Sequence, residues 1–125
     1  AAASAKIAAE KQAEEAAQKA KEEAAKAFAE KKAGIVKGLQ GQSDAIDRKF
    51  VYLKDKASKL KGTAKTKADG ALTAVDNARA QLSASLSEAQ TATDATLVSL
   101  SEKVTSDLKT AQKSLDQFET AVTGK

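Results

Sequence analysis

The sequence predicts an all-α protein built from elongated amphipathic helices, arranged as one long helix or as a helical hairpin resembling a coiled coil. The 125-residue chain contains no Pro, the strongest helix breaker, and 29 residues of Ala, the strongest helix former. Leu, Ile, Val and Phe together total only 22 residues, too few for a large globular core. These large residues recur at helical spacing in the second half of the chain, which favours long helices with one apolar side.

The first predicted element is a helix over residues 1–33, which consist almost entirely of Ala, Lys, Glu and Gln. These are strong helix formers, and the spacing of Glu15 with Lys19 and of Glu22 with Lys26 suits i,i+4 ion pairs. In composition the segment is similar to the Ala/Lys/Glu spacer of the bacterial envelope protein TolA. That resemblance covers about a quarter of the chain and assigns no site residues.

Residues 34–43 are predicted to form a Gly-rich hinge between two helices. Gly34, Gly38 and Gly41 interrupt the helical pattern, and the Ser and Asp that follow them are suited to cap a new helix. The alternative is a helix that continues through the glycines, where the missing side chains let a partner helix cross closely. We prefer the hinge.

A basic amphipathic helix is predicted over residues 44–61, and residues 62–70 either form a kink or loop or continue as helix. The helix is predicted because its apolar residues are spaced by three and four, as in a heptad. The kink or loop is one alternative because two Gly and two Thr fall within nine residues. The heptad positions are Ile46, Phe50, Leu53, Ala57, Leu60 and Ala64.

Residues 71–125 are predicted to form one long helix, because their large residues follow an eleven-residue repeat. The first, fifth and eighth positions of each block are apolar except at Thr93 and at Glu119, where Phe118 takes over. Since eleven residues make three turns at about 3.67 residues per turn, these positions form a stripe along one side of the helix. The predicted partner-docking stripe consists of Leu82, Leu86, Leu97, Leu100, Val104, Leu108, Leu115, Phe118 and Val122.

The same segment is rich in poor helix formers, with 14 Ser or Thr among the 44 residues from Leu82 onward. Propensity alone does not hold such a helix, so we expect it to be stabilised by burial of the stripe. Either residues 1–33 fold back over the stripe, or another protein covers it.

Charge is distributed unevenly, although the net charge is only +4. Residues 1–68 carry 16 basic and 9 acidic residues, whereas residues 69–125 carry 5 and 8. A dense group of Lys beside apolar residues suits an anionic membrane surface or an acidic protein face, and it is also what a packed helix with a solvated rim would show. The predicted basic patch consists of Lys49, Phe50, Leu53, Lys54, Lys56, Lys59, Leu60, Lys61, Lys65 and Lys67.

The composition argues against an enzyme. The chain has no His and no Cys, which leaves no imidazole or thiol for a base, a nucleophile or a metal site. Adjacent carboxylates such as Glu14 and Glu15 point about 100° apart on a helix, and no phosphate-binding loop motif occurs. We therefore expect no catalytic, cofactor-binding or metal-binding residues. With two Arg and a single Tyr, we also expect no sequence-specific binding of nucleic acid.

Two functions are consistent with these features. The preferred one is a non-enzymatic structural or linker protein, whose long helices dock onto other protein subunits of an assembly or associate with each other. The alternative is reversible binding to anionic lipid or granule surfaces. The eleven-residue repeats, and above all the passage KDKASKLKGTAKTKADGA, resemble those of late-embryogenesis-abundant proteins, apolipoproteins and phasins. That resemblance implies helices that form on a surface.

The sequence gives only a broad expectation about localisation. No apolar run is long enough to span a bilayer, so a soluble or peripheral protein is expected. The Ala-rich start without Met fits either a processed mature protein of an organelle or the periplasm, or a truncated chain.

Overall fold

The structure, a computed structural model, describes the backbone of residues 2–124 and the side chains of residues 6–124. Within these residues it is 92% helical, with three helices and no strands, which confirms the predicted all-α class. The helices are α1 (Ala2–Ser58, 57 residues), α2 (Gly62–Gln90, 29 residues) and α3 (Leu97–Thr123, 27 residues). Helices α2 and α3 form an antiparallel hairpin, and α1 packs against both of them.

Only the second half of α1 contributes to the core. Leu39, Ile46, Phe50, Leu53 and Ala57 are buried, and from Ile46 onward they follow the predicted spacing of four and three. Ala64, the last residue of that predicted heptad, is exposed, because the chain turns before it and it lies on the outer side of α2. The heptad pattern therefore ends with α1.

The core is a single apolar seam enclosed by the three helices. Val75, Leu82 and Leu86 of α2 belong to the same buried cluster as Leu108 and Leu115 of α3, and all five are at most 6% exposed. Small residues fill the seam between the large ones. Ala68, Ala89 and Ala111 are completely buried, so the helices approach each other closely there.

The first chain reversal lies at residues 59–61, just before residues 62–70. The amides of Lys59 and Leu60 donate to the carbonyls of Lys56 and Ala57, each at 3.1 Å, which ends α1. Gly62 then has a φ of +66°, a left-handed conformation that Gly adopts without strain. Residues 62–70 are therefore helical, which was one of the two alternatives left open for them, and the break lies just before them.

The second reversal lies at residues 91–96, where the sequence predicted an uninterrupted helix over residues 71–125. The Oγ1 of Thr96 accepts a hydrogen bond from the amide of Thr93 at 2.9 Å, and the amide of Leu97 donates to the carbonyl of Thr93 at 2.9 Å. The Nζ of Lys32 donates to the carbonyl of Ala92 at 3.3 Å, which ties this turn to α1. Thr side chains that bond the local backbone compete with helix, so the chain turns here without Gly or Pro.

The predicted hinge at residues 34–43 is also wrong, because α1 continues through these residues without a break. Each helical Gly costs about 1 kcal/mol relative to Ala, and this cost is offset by burial of Leu39 and Ile46 on the same helix. A Cβ built on Gly34, Gly38 or Gly41 meets nothing within 4 Å. The glycines therefore face solvent, and no other helix of the described chain crosses closely at them.

Candidate functional site

The residues of the predicted partner-docking stripe are covered by the chain itself. Seven of them are at most 6% exposed, and the other two, Leu100 and Val122, are partly buried against the same core. The reversal at residues 91–96 folds the stripe of α3 against α2, and residues 39–57 of α1 close the remaining side. Within the described residues the stripe is therefore covered by α2 and by residues 39–57 of α1, and not by residues 1–33.

The apolar residues of the predicted basic patch are part of the same core. Phe50 is 3% exposed and Leu53 is 1% exposed, while Leu60 is partly buried at the end of α1. They are therefore not free to enter a membrane while the bundle is closed. The burial of these residues agrees with the alternative of a packed helix with a solvated Lys rim, and it argues against their apolar side as a contact surface.

Several lysines of the basic patch are engaged with neighbouring side chains. Lys49 pairs with Glu119 of α3 at 3.1 Å, Lys59 with Asp55 at 3.5 Å and Lys65 with Asp69 at 3.4 Å. The ammonium groups of Lys54 and Lys56 lie 5.9 Å and 4.7 Å from the ring centroids of Phe50 and Tyr52. Lys61 and Lys67 are exposed, and neither forms an ion pair within the described residues.

Arg79 connects the three helices in a way that sequence analysis did not identify. Its Nε donates to Asp47 of α1 at 2.8 Å, and its guanidinium lies 4.1 Å from the ring centroid of Phe50. The Phe50 ring in turn lies 6.0 Å from the ring of Phe118 in α3. Because Asp47 and Arg79 are 32 residues apart, no local spacing pointed to the pair. Its role is structural, since it fixes α1 on the hairpin.

A polar groove of about 220 Å³ lies beside Arg79, between α1 and α2. Its walls include the hydroxyls of Ser43, Ser83 and Ser87. The only charged residues lining it are Asp47 and Arg79, which are already paired with each other. Because the chain has no His, these hydroxyls have no imidazole base to activate them.

The first part of α1 forms a solvent-exposed arm, defined here as residues 6–27. Every residue of the arm is exposed, and packing begins only at Phe28 and Lys32, which are partly buried. None of the predicted i,i+4 ion pairs forms within 4 Å among the described side chains of the arm, where Gln18 donates to Glu22 at 3.3 Å instead. The arm is therefore helical because of its Ala, Lys and Glu content and its continuity with the packed half of α1.

A second exposed surface lies on the last turns of α1 and the turn that follows, on the side away from the core, and we call it the outer face. It contains two large apolar side chains, Val51 at 63% and Tyr52 at 59% exposure, among basic residues. The heptad pattern of the sequence indicates only the core side of this helix and gives no role to Val51 and Tyr52. Their exposure could have been predicted, because Val51 and Tyr52 both fall between the heptad positions Phe50 and Leu53. The outer face consists of Arg48, Val51, Tyr52, Asp55, Lys56 and Lys59.

No helix among the described residues combines the length and apolar character needed to cross a bilayer. Nor do the described residues contain a group of three or more carboxylates arranged to hold a metal ion. Comparison of the chain with protein-family models, with curated proteins and with solved structures finds no match.

Proposed function

We propose that this protein is a non-enzymatic structural linker, in which a three-helix bundle carries a rigid helical arm that bridges to other subunits of an assembly. The observation that supports it is the arm itself: residues 6–27 are exposed on all sides and yet belong to the same helix as the buried residues 39–57. A helix whose apolar residues are almost all Ala and that buries none of its sides suits a segment that crosses solvent between two packed units.

The dimensions of the arm suit a spacer. Its 22 residues correspond to about 33 Å of helix at 1.5 Å per residue. Segments rich in Ala, Glu and Lys act as semi-rigid spacers because they are largely helical without a packed partner. The arm carries both signs of charge in similar numbers, so it is soluble without strongly repelling a partner.

The bundle supplies the fixed end of this arrangement. Its seam joins all three helices, and the contacts of Lys32 with the turn at residues 91–96 and of Arg79 with Asp47 hold α1 on the hairpin. The direction of the arm is therefore set by the bundle. For a linker this matters, because a rigid joint fixes the distance between two bound partners, whereas a hinge does not.

Distance measurements between spin labels test the rigidity of the joint. The chain has no Cys, so labels attach only where Cys is introduced. In the doubly labelled variant Ala20→Cys/Arg48→Cys, the labels are 28 residues apart on α1 and flank all three glycines. We expect one narrow distance distribution centred near about 42 Å, the length of that stretch of helix.

A pair inside the bundle provides the matched control. Val98→Cys/Thr120→Cys lies on α3, at exposed positions about 33 Å apart along the helix. We expect the two distributions to be similarly narrow in double electron–electron resonance. A distribution for Ala20/Arg48 that is much broader or shorter than the helical distance would show a hinge at the glycines and contradict the proposed linker geometry.

A further inference from the structure

We propose that the outer face of α1 docks the protein onto an anionic lipid bilayer while the bundle stays closed. Lys59 lies in the turn that directly follows α1, and Arg48, Tyr52 and Asp55 are each two residues beyond a buried position of α1, which places them about 200° round the helix from the core. They are exposed and lie on one helical face, so a flat surface can contact them together. No core residue has to move for this contact.

The charge of the outer face suits an anionic surface. Three of its residues are cationic, and its one carboxylate, Asp55, is 3.5 Å from Lys59. Arg48 and Lys56 form no ion pair among the described residues, and Lys61 adds another such cation in the adjacent turn. Each cation near a bilayer containing acidic lipid strengthens binding by roughly fivefold, and this contribution weakens as salt screens it.

The exposed apolar side chains of Val51 and Tyr52 favour an anionic bilayer over a nucleic acid as the binding partner. Tyr52 and Val51 are neighbours and are more than half exposed, and the ammonium of Lys56 lies 4.7 Å from the Tyr52 ring. A Tyr flanked by cations suits the boundary between headgroups and acyl chains, where its ring is buried and the Lys side chain extends to the phosphates. A nucleic acid would satisfy the charges, but it would find a single aromatic ring for base stacking and leave Val51 without a contact.

This mode differs from the binding of an amphipathic helix that folds on a surface. Such a helix would have to expose Phe50 and Leu53, which are 3% and 1% exposed in the bundle. Docking through the outer face leaves them covered. We therefore expect circular dichroism to show no gain of helix when the protein binds vesicles.

Tyr52 reports directly on the contact, because it is the only Tyr and the chain has no Trp. The full chain is mixed with vesicles of phosphatidylcholine alone or with added phosphatidylserine, and binding is measured by co-sedimentation. We expect binding only with phosphatidylserine, loss of binding at high salt, and reduced quenching of Tyr52 emission by acrylamide in the bound state. Binding to neither vesicle, equal binding to both, or unchanged quenching of bound protein would overturn the proposal.

Two triple variants with the same loss of charge locate the site. Arg48→Gln/Lys56→Gln/Lys61→Gln removes three cations without an ion pair, so we expect the partition coefficient to fall on the order of a hundredfold. The control, Lys11→Gln/Lys19→Gln/Lys21→Gln, removes three exposed cations of the arm. We expect it to change the partition coefficient by less than about threefold. Equal losses in the two variants would show adsorption by net charge.

Two further measurements separate the remaining alternatives. The variant Tyr52→Ser keeps every charge, and we expect it to bind several-fold more weakly because the apolar contact is lost. Unchanged binding of this variant would contradict a lipid contact at Tyr52. Single-stranded nucleic acid, tested at the same salt concentration, is expected to bind more weakly than phosphatidylserine vesicles. Tighter binding of nucleic acid would reassign the surface.

Discussion

Replacing Phe118 with Ala is expected to lower the free energy of unfolding by about 3–5 kcal/mol. Phe118 is completely buried in α3, and its ring lies 6.0 Å from the ring of Phe50 in α1. The guanidinium of Arg79 in α2 lies 4.1 Å from the centroid of the Phe50 ring. The substitution therefore opens a cavity where all three helices meet. Because a domain of this size is stable by only about 5–15 kcal/mol, this loss is a large fraction of the total free energy of unfolding.

Urea unfolding followed by circular dichroism measures this loss, and Val98→Ala is its control. Val98 lies on the same helix but is 62% exposed, so its replacement should change the free energy of unfolding by less than about 0.5 kcal/mol. Similar small losses for Phe118→Ala and Val98→Ala would mean that α1 and α3 do not share a core. That result would contradict the three-helix bundle.

Enlarging Ala111 to Leu is expected to destabilise the protein by about 1–3 kcal/mol, the cost of overpacking a filled seam. Ala111 is completely buried in α3, where its small side chain lets the helices approach closely. The matched variant is Ala64→Leu. The sequence pattern put both alanines on apolar stripes, but the structure exposes Ala64 on α2.

The same unfolding experiment distinguishes the two alanines. For Ala64→Leu we expect a change within about 0.5 kcal/mol of zero, because a surface Leu on a helix neither overpacks nor leaves a cavity. If Ala64→Leu proved as costly as Ala111→Leu, the heptad of α1 would continue past residue 60. The turn at residues 59–61 would then be misplaced.

The helices and their buried sides could be predicted from the sequence because both depend on local periodicity. In α3, the eleven-residue repeat identified Leu108, Ala111 and Leu115 as one side, and the structure buries all three. In α1, the heptad spacing identified Phe50 and Leu53 in the same way. Periodicity shows which side of a helix is covered, but it does not show what covers it.

The chain reversals could not be placed reliably because their local signals are weak. Thr93 and Thr96 make the second turn, yet Ser and Thr also occur throughout the helices on either side. Conversely, Gly34, Gly38 and Gly41 signalled a hinge where α1 is continuous. The packing of residues 39–57 on the hairpin keeps α1 continuous through these glycines. This packing is a tertiary interaction, which local helix propensity does not describe.

The surfaces open to partners could be predicted only in part. The Lys-rich composition of residues 49–67 drew attention to the C-terminal end of α1, but the burial of Phe50 shows that its apolar heptad side faces the core and not solvent. Val51 and Tyr52 become the accessible apolar residues only once the three helices are assembled. The pairing of Arg79 with Asp47 depends on the same assembly.

Amide hydrogen exchange on the isolated chain tests most directly the claim that the protein closes its own apolar seam and leaves the arm outside it. Under conditions where sedimentation shows a monomer, we expect amides around Leu53, Leu82 and Leu108 to be protected by a similar free energy, that of global unfolding. Amides of residues 6–27 should exchange far faster, since no packing protects them. Exchange around Leu108 as fast as in the arm would contradict the account, because the stripe of α3 would then depend on another protein.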